Sequence, residues 1–331
     1  MTGAGGVTSA GGVTGAGGTS TAGGTGTGGV TSSGGVSGSG GVSGIGGVSG
    51  TGGAAGTGGT PTDGGVAGTG GGAGSRYPYI FSCFNDDNTH PSDLIIYTSN
   101  DALNWTLLYD TGYTGPTGFM RDPSIMRHTD GKYYVAFTTP PDLGCCGSEQ
   151  SFSIGSSGNL KDWTTIATVP CGVAGTVHTW SPEWFVDSDG SVHITATLDS
   201  KAYRYEPTDA SLTKWRGPTP LGISGSIDYQ ILKIGSTYHS ITSDRHGTAP
   251  SLDGPWTFGE YNEPACKEGP AMVHISGNTW RYYCDNGGSG HEKTSLTTDL
   301  FQTWTSLETL PVVGNNISQG TVIRGDTGHP F

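Results

Sequence analysis

Cations are scarce in this chain, where 15 Lys and Arg stand against 28 Asp and Glu and the formal charge is −13 over 331 residues. That deficit argues against a nucleic-acid or anionic-membrane partner, which would favour clustered Lys and Arg. A neutral substrate fits better. Long apolar runs are also missing: none reaches about eighteen residues, so no segment reads as a helix that crosses a bilayer. The N-terminus lacks the charged and apolar regions of a signal peptide, and the chain is expected to start inside a longer precursor. With neither a Gly-x-Ser-x-Gly elbow nor a P-loop, serine hydrolysis and nucleotide chemistry drop out. His291-Glu292 has Ser295 where a zinc-binding helix would need a second histidine, so metal catalysis lacks its motif. None of the six cysteines sits in a C-x-x-C pair, and their even number points to disulfides and an exported protein. Cys266 and Cys284 flank two consecutive strand-like runs and are expected to pair. Cys83, Cys145, Cys146 and Cys171 allow three connectivities.

Aromatic side chains are absent from residues 1–75, which hold 34 of the 61 glycines and one charged residue, Asp63. Nothing there can build a core. The stretch reads as a disordered Gly/Ser/Thr-rich linker, a tether with a reach of roughly 45–50 Å. Residues 76–331 suit one all-β domain. Helical periodicity is nearly absent from them, while runs such as Lys132–Thr138, Ser191–Thr197 and Thr237–Thr242 follow turn signals and are strand-like.

What the chain does have is a pattern that recurs five times. Its first column is apolar: Asp122–Arg127, Ser181–Val186, Asp228–Lys233, Gly269–His274 and Gln319–Arg324. Its second is a tryptophan after a turn, at Trp105, Trp163, Trp215, Trp256 and Trp304, with successive spacings of 58, 52, 41 and 48 residues. A period of about 40 to 50 residues with four short strands per unit predicts a five-bladed β-propeller. The first tryptophan precedes every inner strand and the last inner strand has no tryptophan after it. One blade is therefore closed jointly by the two termini: Gln319–Arg324 supplies its inner strand, and Tyr77–Phe84, Asp93–Ser99 and Trp105–Leu108 the outer three.

Inner strands of a propeller aim their starts at one end of the central channel. Asp122, Asp228 and, one position early, Glu268 lie there, whereas Ser181 and Gln319 open other rounds, so the repeat itself does not demand acidity. Carboxylates crowded into one pocket repel and are desolvated, which splits their pKa values into an acid and a base. That is the pair a glycosidic bond requires. The plainer alternative is that these residues cap turns or bond blades together. Glu183, two positions beyond its column start, is a rival acid. Trp180 and Phe119 could stack on a sugar face, and Arg121 and Arg245 could donate to sugar hydroxyls.

Arg121-Asp-Pro-Ser-Ile125 with Asp130-Gly-Lys-Tyr-Tyr134, Trp180-Ser-Pro-Glu183, Ser226-Ile-Asp228, Lys267-Glu-Gly-Pro270 and Ile317-Ser-Gln-Gly320 together resemble the five-bladed glycoside hydrolases of family 43 and the related family 62. The resemblance covers about 80–331. It implies Asp122 as general base, Asp228 as the carboxylate that tunes and orients the acid, Glu268 as general acid, and inversion at the anomeric carbon. It further implies an exo-acting α-L-arabinofuranosidase on plant arabinoxylan or arabinan, with β-xylosidase or endo-arabinanase as alternatives. Tyr229-Gln230 stands where many family 43 members carry Pro-Ser, and Gln319 where relatives often have a histidine near a channel cation. No cofactor is required, and a structural Ca2+ in the channel is left open. A monomer is expected. A sugar-binding propeller without turnover and a sialidase-like propeller are readings from other classes, but the latter needs an arginine cluster, and the strand starts supply only Arg121.

Overall fold

The computed structural model describes residues 75–331 apart from 86–91, 142–146, 260–261, 287–291 and 312–316. The tether expected over 1–75 lies outside the described residues save Ser75. Three strands come first, β1 (Tyr79–Asn85), β2 (Leu94–Ser99) and β3 (Thr106–Asp110). Four complete blades follow. The first is β4 (Arg121–Arg127), β5 (Tyr133–Thr138), β6 (Ser151–Ser157) and β7 (Thr164–Pro170); the second is β8 (Thr179–Val186), β9 (Val192–Leu198), β10 (Lys201–Pro207) and β11 (Trp215–Ser224). The third is β12 (Gln230–Ile234), β13 (Thr237–Ile241), β14 (His246–Ala249) and β15 (Thr257–Phe258), and the fourth is β16 (Glu268–Ser276), β17 (Thr279–Asp285), β18 (Glu292–Thr297) and β19 (Glu308–Thr309). Finally β20 (Ile317–Arg324) pairs with β1, giving a fifth sheet in the order β20-β1-β2-β3. The terminal closure read from the order of the two columns is thus the observed one. No helix occurs among the described residues.

Burial explains why the ring closes. Inner strands β4, β12 and β16 carry consecutive apolar residues because both faces of each blade meet a neighbour. Five core clusters result, and each spans one seam between adjacent blades. Met126, Tyr134 and Phe152 meet Trp184, Ile194 and Tyr205 between the first and second blades. Phe185 and Ile223 meet Tyr229 and Ile231 at the next seam, and Leu232 and Ile241 meet Met272 and Tyr282 at the third. Ala271, Val273 and Tyr283 of the fourth blade pack on Phe81, Tyr97 and Trp105 of the fifth. Ile80, Ile96 and Ile323 then reach Ile125, Val135 and Phe137 of the first.

Each recurrent tryptophan follows the turn into the outermost strand of its blade. A carboxylate or amide binds backbone amides of that turn: Asp101 accepts from Leu103 and Asn104, Asn159 from Lys161 and Asp162, Asp209 from Thr213 and Lys214, and Asp299 from Gln302 and Thr303. Three residues before the tryptophan, Ala102, Leu160, Leu212 and Phe301 take left-handed backbone and bury their side chains.

The disulfide expected between Cys266 and Cys284 is present. The expectation for the other four cysteines needs correction. Cys83 and Cys171 are buried free thiols in different core clusters, so no connectivity that uses them holds. Each fills an apolar gap as a small hydrophobic residue. Cys145 and Cys146 lie outside the described residues.

Candidate active site

The inner strands belong to five separate sheets, and side chains bond to backbone across the seams between them. Thr321 Oγ1 accepts from Ile125 N at 2.9 Å, Ser124 Oγ from Trp184 N at 3.1 Å, and Gln230 Oε1 from Met272 N at 2.7 Å. At the end of the channel where these strands begin, the backbone departs from regular strand. Asp122, Ser181, Asp228, Gly269 and Gln319, the five openers of the repeat, all have positive φ, at 51°, 45°, 56°, 61° and 27°. Pairing skips a residue or two around four of them. Such bulges re-aim side chains, and left-handed backbone at a non-glycine residue costs on the order of 1–3 kcal/mol. Pro123, Pro182 and Pro270 follow three of the openers, at places where no ladder bond is lost. Gly269 is required by more than its φ, because a Cβ there would lie 2.7 Å from Gln319 Cγ.

The re-aimed side chains form one hydrogen-bonded chain across four blades. Thr138 Oγ1, at the end of β5, donates to Asp122 Oδ2 at 2.6 Å and accepts from Ser181 N at 2.9 Å. Ser181 Oγ donates to Asp228 Oδ1 at 2.5 Å, and Gly269 N donates to Asp228 Oδ2 at 2.9 Å. Thr197 Oγ1, the counterpart of Thr138 in the second blade, accepts from Asp228 N at 3.0 Å. Asp228 is buried and anchored on both oxygens, while Asp122 is half-buried.

Electrostatics couple these groups. Burial, and then the Asp228 charge, push Asp122 up to about 7, against Thr138 and Arg121, which favour its ionised form; Glu268 adds to the upward push. Burial raises Asp228 as well, opposed by the Ser181 and Gly269 donors. Glu268 lies one residue before its opener and pairs directly with Asp285 on β17, the place that Arg121 takes opposite Thr138 and Trp180 opposite Thr197. Its displaced position in the sequence therefore puts it in a second tier, with Arg121 and Trp180, immediately outside the ring of openers. Asp122 feels the Asp228 charge and, more weakly, that of Glu268.

The remaining candidates are placed as follows. Arg121 stands beside Asp122 with its guanidinium 5.4 Å over the Phe84 ring. Trp180 stacks on His178 with ring centroids 4.3 Å apart, and buried Glu149 holds both: its Oε2 accepts from Trp180 Nε1 at 3.0 Å and contacts His178 Nδ1 at 3.1 Å. Gln319 packs against Gly269, and Phe119 is half-buried in the loop that leads into β4. Arg245 sits on the rim of the third blade, where its Nη1 donates to Ser224 O at 3.0 Å; no bond joins it to the three carboxylates. Glu183 lies one layer deeper, accepts from Ser124 Oγ at 2.8 Å, and is pushed well up by burial. No group of three or more His, Cys, Asp or Glu side chains among the described residues could hold a metal ion, and Gln319 offers a channel cation no carboxylate or imidazole. Sequence reasoning missed Thr138, Glu149, His178 and Asp285. Thr138 and Thr197 could have been found by aligning the ends of the second strands, where a hydroxyl recurs.

No family model matches the sequence, and no curated protein matches it either. Solved structures do. A glycoside hydrolase of family 43, a β-1,3-galactosidase, superposes with a TM-score of 0.51 at 14% identity, over 70% of this chain and 53% of its own. A xylan β-1,4-xylosidase from Bacillus halodurans gives 0.46 at 13% identity over 71% and 51%, and a thermostable family 43 glycoside hydrolase 0.47 at 15% identity over 72% and 91%. The chain thus spans about half the length of the galactosidase. At 14% identity the likeness to the galactosidase is one of fold alone.

Proposed function

We propose that the protein is an inverting glycoside hydrolase in which Asp122 is the general base, Glu268 the general acid, and Asp228 the carboxylate that orients the pair. One observation carries this reading. Asp122 and Asp228 are strained openers on two blades, joined through Thr138 and Ser181 in one hydrogen-bonded chain, and Glu268 stands one residue before the opener of a third blade. Several joins between blades at this end are made by hydroxyls, as at Thr138, Ser181 and Thr197. Carboxylates at Asp122, Asp228 and Glu268 suit a chemical role. Two groups of unlike proton affinity across one glycosidic oxygen supply it: one protonates the leaving oxygen while the other takes a proton from the attacking water, each transfer being worth about 10²–10⁴ in rate. The Trp180–His178 stack, fixed by Glu149, gives a sugar ring an apolar face to lie against.

Within that class the reading is an exo-acting α-L-arabinofuranosidase on arabinoxylan or arabinan, with β-xylosidase or endo-arabinanase next. It follows the sequence resemblance, and the net charge of −13 suits a neutral polysaccharide. Export is part of the same reading, supported by the Cys266–Cys284 disulfide. The test is a screen of aryl arabinofuranosides, aryl xylosides and arabinoxylan, with the product anomer followed by NMR. Inversion is expected, and retention would refute the roles. Glu268→Gln should abolish turnover of unactivated glycosides yet keep sugar binding. Binding in both forms with hydrolysis in neither would instead favour a carbohydrate-binding propeller.

A further inference from the structure

The loop between β5 and β6 meets the entry to β8 beside the ring of openers, and side chains fix the junction from two directions. Gln150 Nε2 donates to Thr176 O at 2.7 Å and to Val177 O at 3.2 Å. The Asp199 carboxylate, in the turn between β9 and β10, accepts from Val177 N at 3.1 Å and from His178 N at 2.9 Å, and Asp199 N returns a bond to His178 O at 3.2 Å. His178 is therefore anchored at both its amide and its carbonyl. It lies two residues before Trp180, which is next to the opener Ser181, whose hydroxyl holds Asp228. The two stacked rings thus stand immediately outside the carboxylates, on a backbone held in place before any ligand arrives.

Glu149 decides how these rings are presented. It is 2% exposed, and a single oxygen, Oε2, serves both of them. An indole N–H can only donate, so Oε2 acts as an acceptor toward Trp180, and the same oxygen lies 3.1 Å from His178 Nδ1. A proton on Nδ1 completes that contact, and the bond made by one ring nitrogen sets the state of the other, so Nε2 keeps its lone pair. The His178 side chain is 27% exposed, and its hydrogen bond among the described residues is the one at Nδ1. Faces and edge of the stack then recognise different parts of a carbohydrate. A sugar's apolar face packs against an aromatic ring, whereas the Nε2 lone pair points outward in the plane of the imidazole and takes a hydroxyl that comes from beside the stack. A short chain of sugars meets both at once better than a single ring does.

We propose that His178 is a specificity residue whose Nε2 accepts a hydrogen bond from a hydroxyl of a neutral oligosaccharide lying against the Trp180–His178 stack, and that Glu149 is the positioning residue that holds both rings and keeps the proton on Nδ1. This rests on the glycoside hydrolase reading of the same site. Selection follows from the cost of an unmet acceptor: a chain that covers Nε2 without offering a hydroxyl leaves it unpaired, a stronger ground for rejection than an apolar face alone provides. An anionic group brings Nε2 no proton, in keeping with a neutral substrate.

The test is 15N NMR of the histidine-labelled full chain at pH 8, with His178 assigned by its loss in His178→Phe. Spectra are taken of the free protein and of Glu268→Gln with oligosaccharides from arabinoxylan or from arabinan. A proton on Nδ1 and none on Nε2 is expected in the free protein, and the Nε2 resonance should move with one of the two sugar sets. His178→Phe keeps a ring in the stack and removes the acceptor; it should raise KM for that set about 10-fold, with a smaller effect on kcat and an unmoved pH profile. Glu149→Ala should lose the Nδ1 proton and raise KM as well, and Glu149→Gln, which retains an acceptor oxygen, should restore most of both. A proton on Nε2 in the free protein, no sugar-induced shift with either set, or an unchanged KM in His178→Phe overturns the proposal. Wild-type behaviour of Glu149→Ala refutes the positioning role. Should that variant not fold, the wild-type proton position and His178→Phe decide. A chain that hydrolyses no glycoside while sugar still moves Nε2 overturns the hydrolase reading and leaves the subsite standing.

Discussion

Replacing Asp122 by Asn should cripple the proposed hydrolysis and stabilise the protein at once, and the pH dependence of the stability gain can be worked out. Asp122 titrates at about 7 in the folded state, mainly from burial and then from Asp228. In the unfolded chain an aspartate titrates near 3.9. Well below pH 4 the folded state is not penalised, because both states keep the proton; at pH 4 the unfolded chain has given up about half of it, a penalty of only about 0.5 kcal/mol. Between pH 4 and 7 the unfolded chain gives up its proton while the folded protein keeps it, and stability falls by about 1.4 kcal/mol per pH unit. Above 7 both states are ionised and the penalty levels off at about 4 kcal/mol. That figure is an upper bound, since Asp122 and Asp228 share their protons.

Asparagine carries no proton to lose and still accepts from Thr138. Its melting temperature should therefore match the wild type near pH 4, rise above it through pH 5 to 7, and hold a constant lead at pH 8. With about 2–4 °C per kcal/mol for a domain of this size, the lead reaches roughly 10 °C. Hydrolysis should fall by about 10²–10⁴ over the same range. Differential scanning calorimetry at pH 4, 6 and 8 provides the check. A lead that does not change with pH, or an Asn variant that is less stable at pH 8, would show that Asp122 is not held in a desolvated, acid-repelling site.

Two further outcomes follow from the same contacts. Ser181→Ala removes one of the two donors to the Asp228 carboxylate, so kcat should drop about 10- to 100-fold and the acid limb of the rate profile should move to higher pH; an unmoved limb means that Asp228 does not take part in the titration. Reducing the Cys266–Cys284 disulfide opens a loop of sequence separation 18, which should cost about 3 kcal/mol and lower the melting temperature by roughly 6–12 °C. Scanning with and without dithiothreitol reads this directly, and equal midpoints would mean that the bond adds nothing to the fourth blade.

The ring was legible in the sequence because its causes are local and repeat. Four of the five tryptophans follow the same Asx-capped turn, and each inner strand is apolar on both faces because blades pack on both sides, so period and order pointed to five blades and the terminal closure. The site was legible only in part. Asp122 and Asp228 open their columns, and one rule of position finds both. Glu268 looked displaced because the left-handed opener of its blade must be glycine where Gln319 crowds it, which moves the acidic residue one place earlier and a tier outward. That cause joins residues fifty positions apart and leaves no local mark. Glu149 is hidden for the same reason: it belongs to no column, and only the folded chain brings it under Trp180 and His178. Cys83 and Cys171 illustrate the opposite error, in which an even cysteine count invited a pairing that the five-seam core forbids by burying each thiol at a different seam. Asp285 lies between these cases. Its strand pairs as those of the first two blades do, so a carboxylate where they carry Thr138 and Thr197 can be seen once the second strands are superposed.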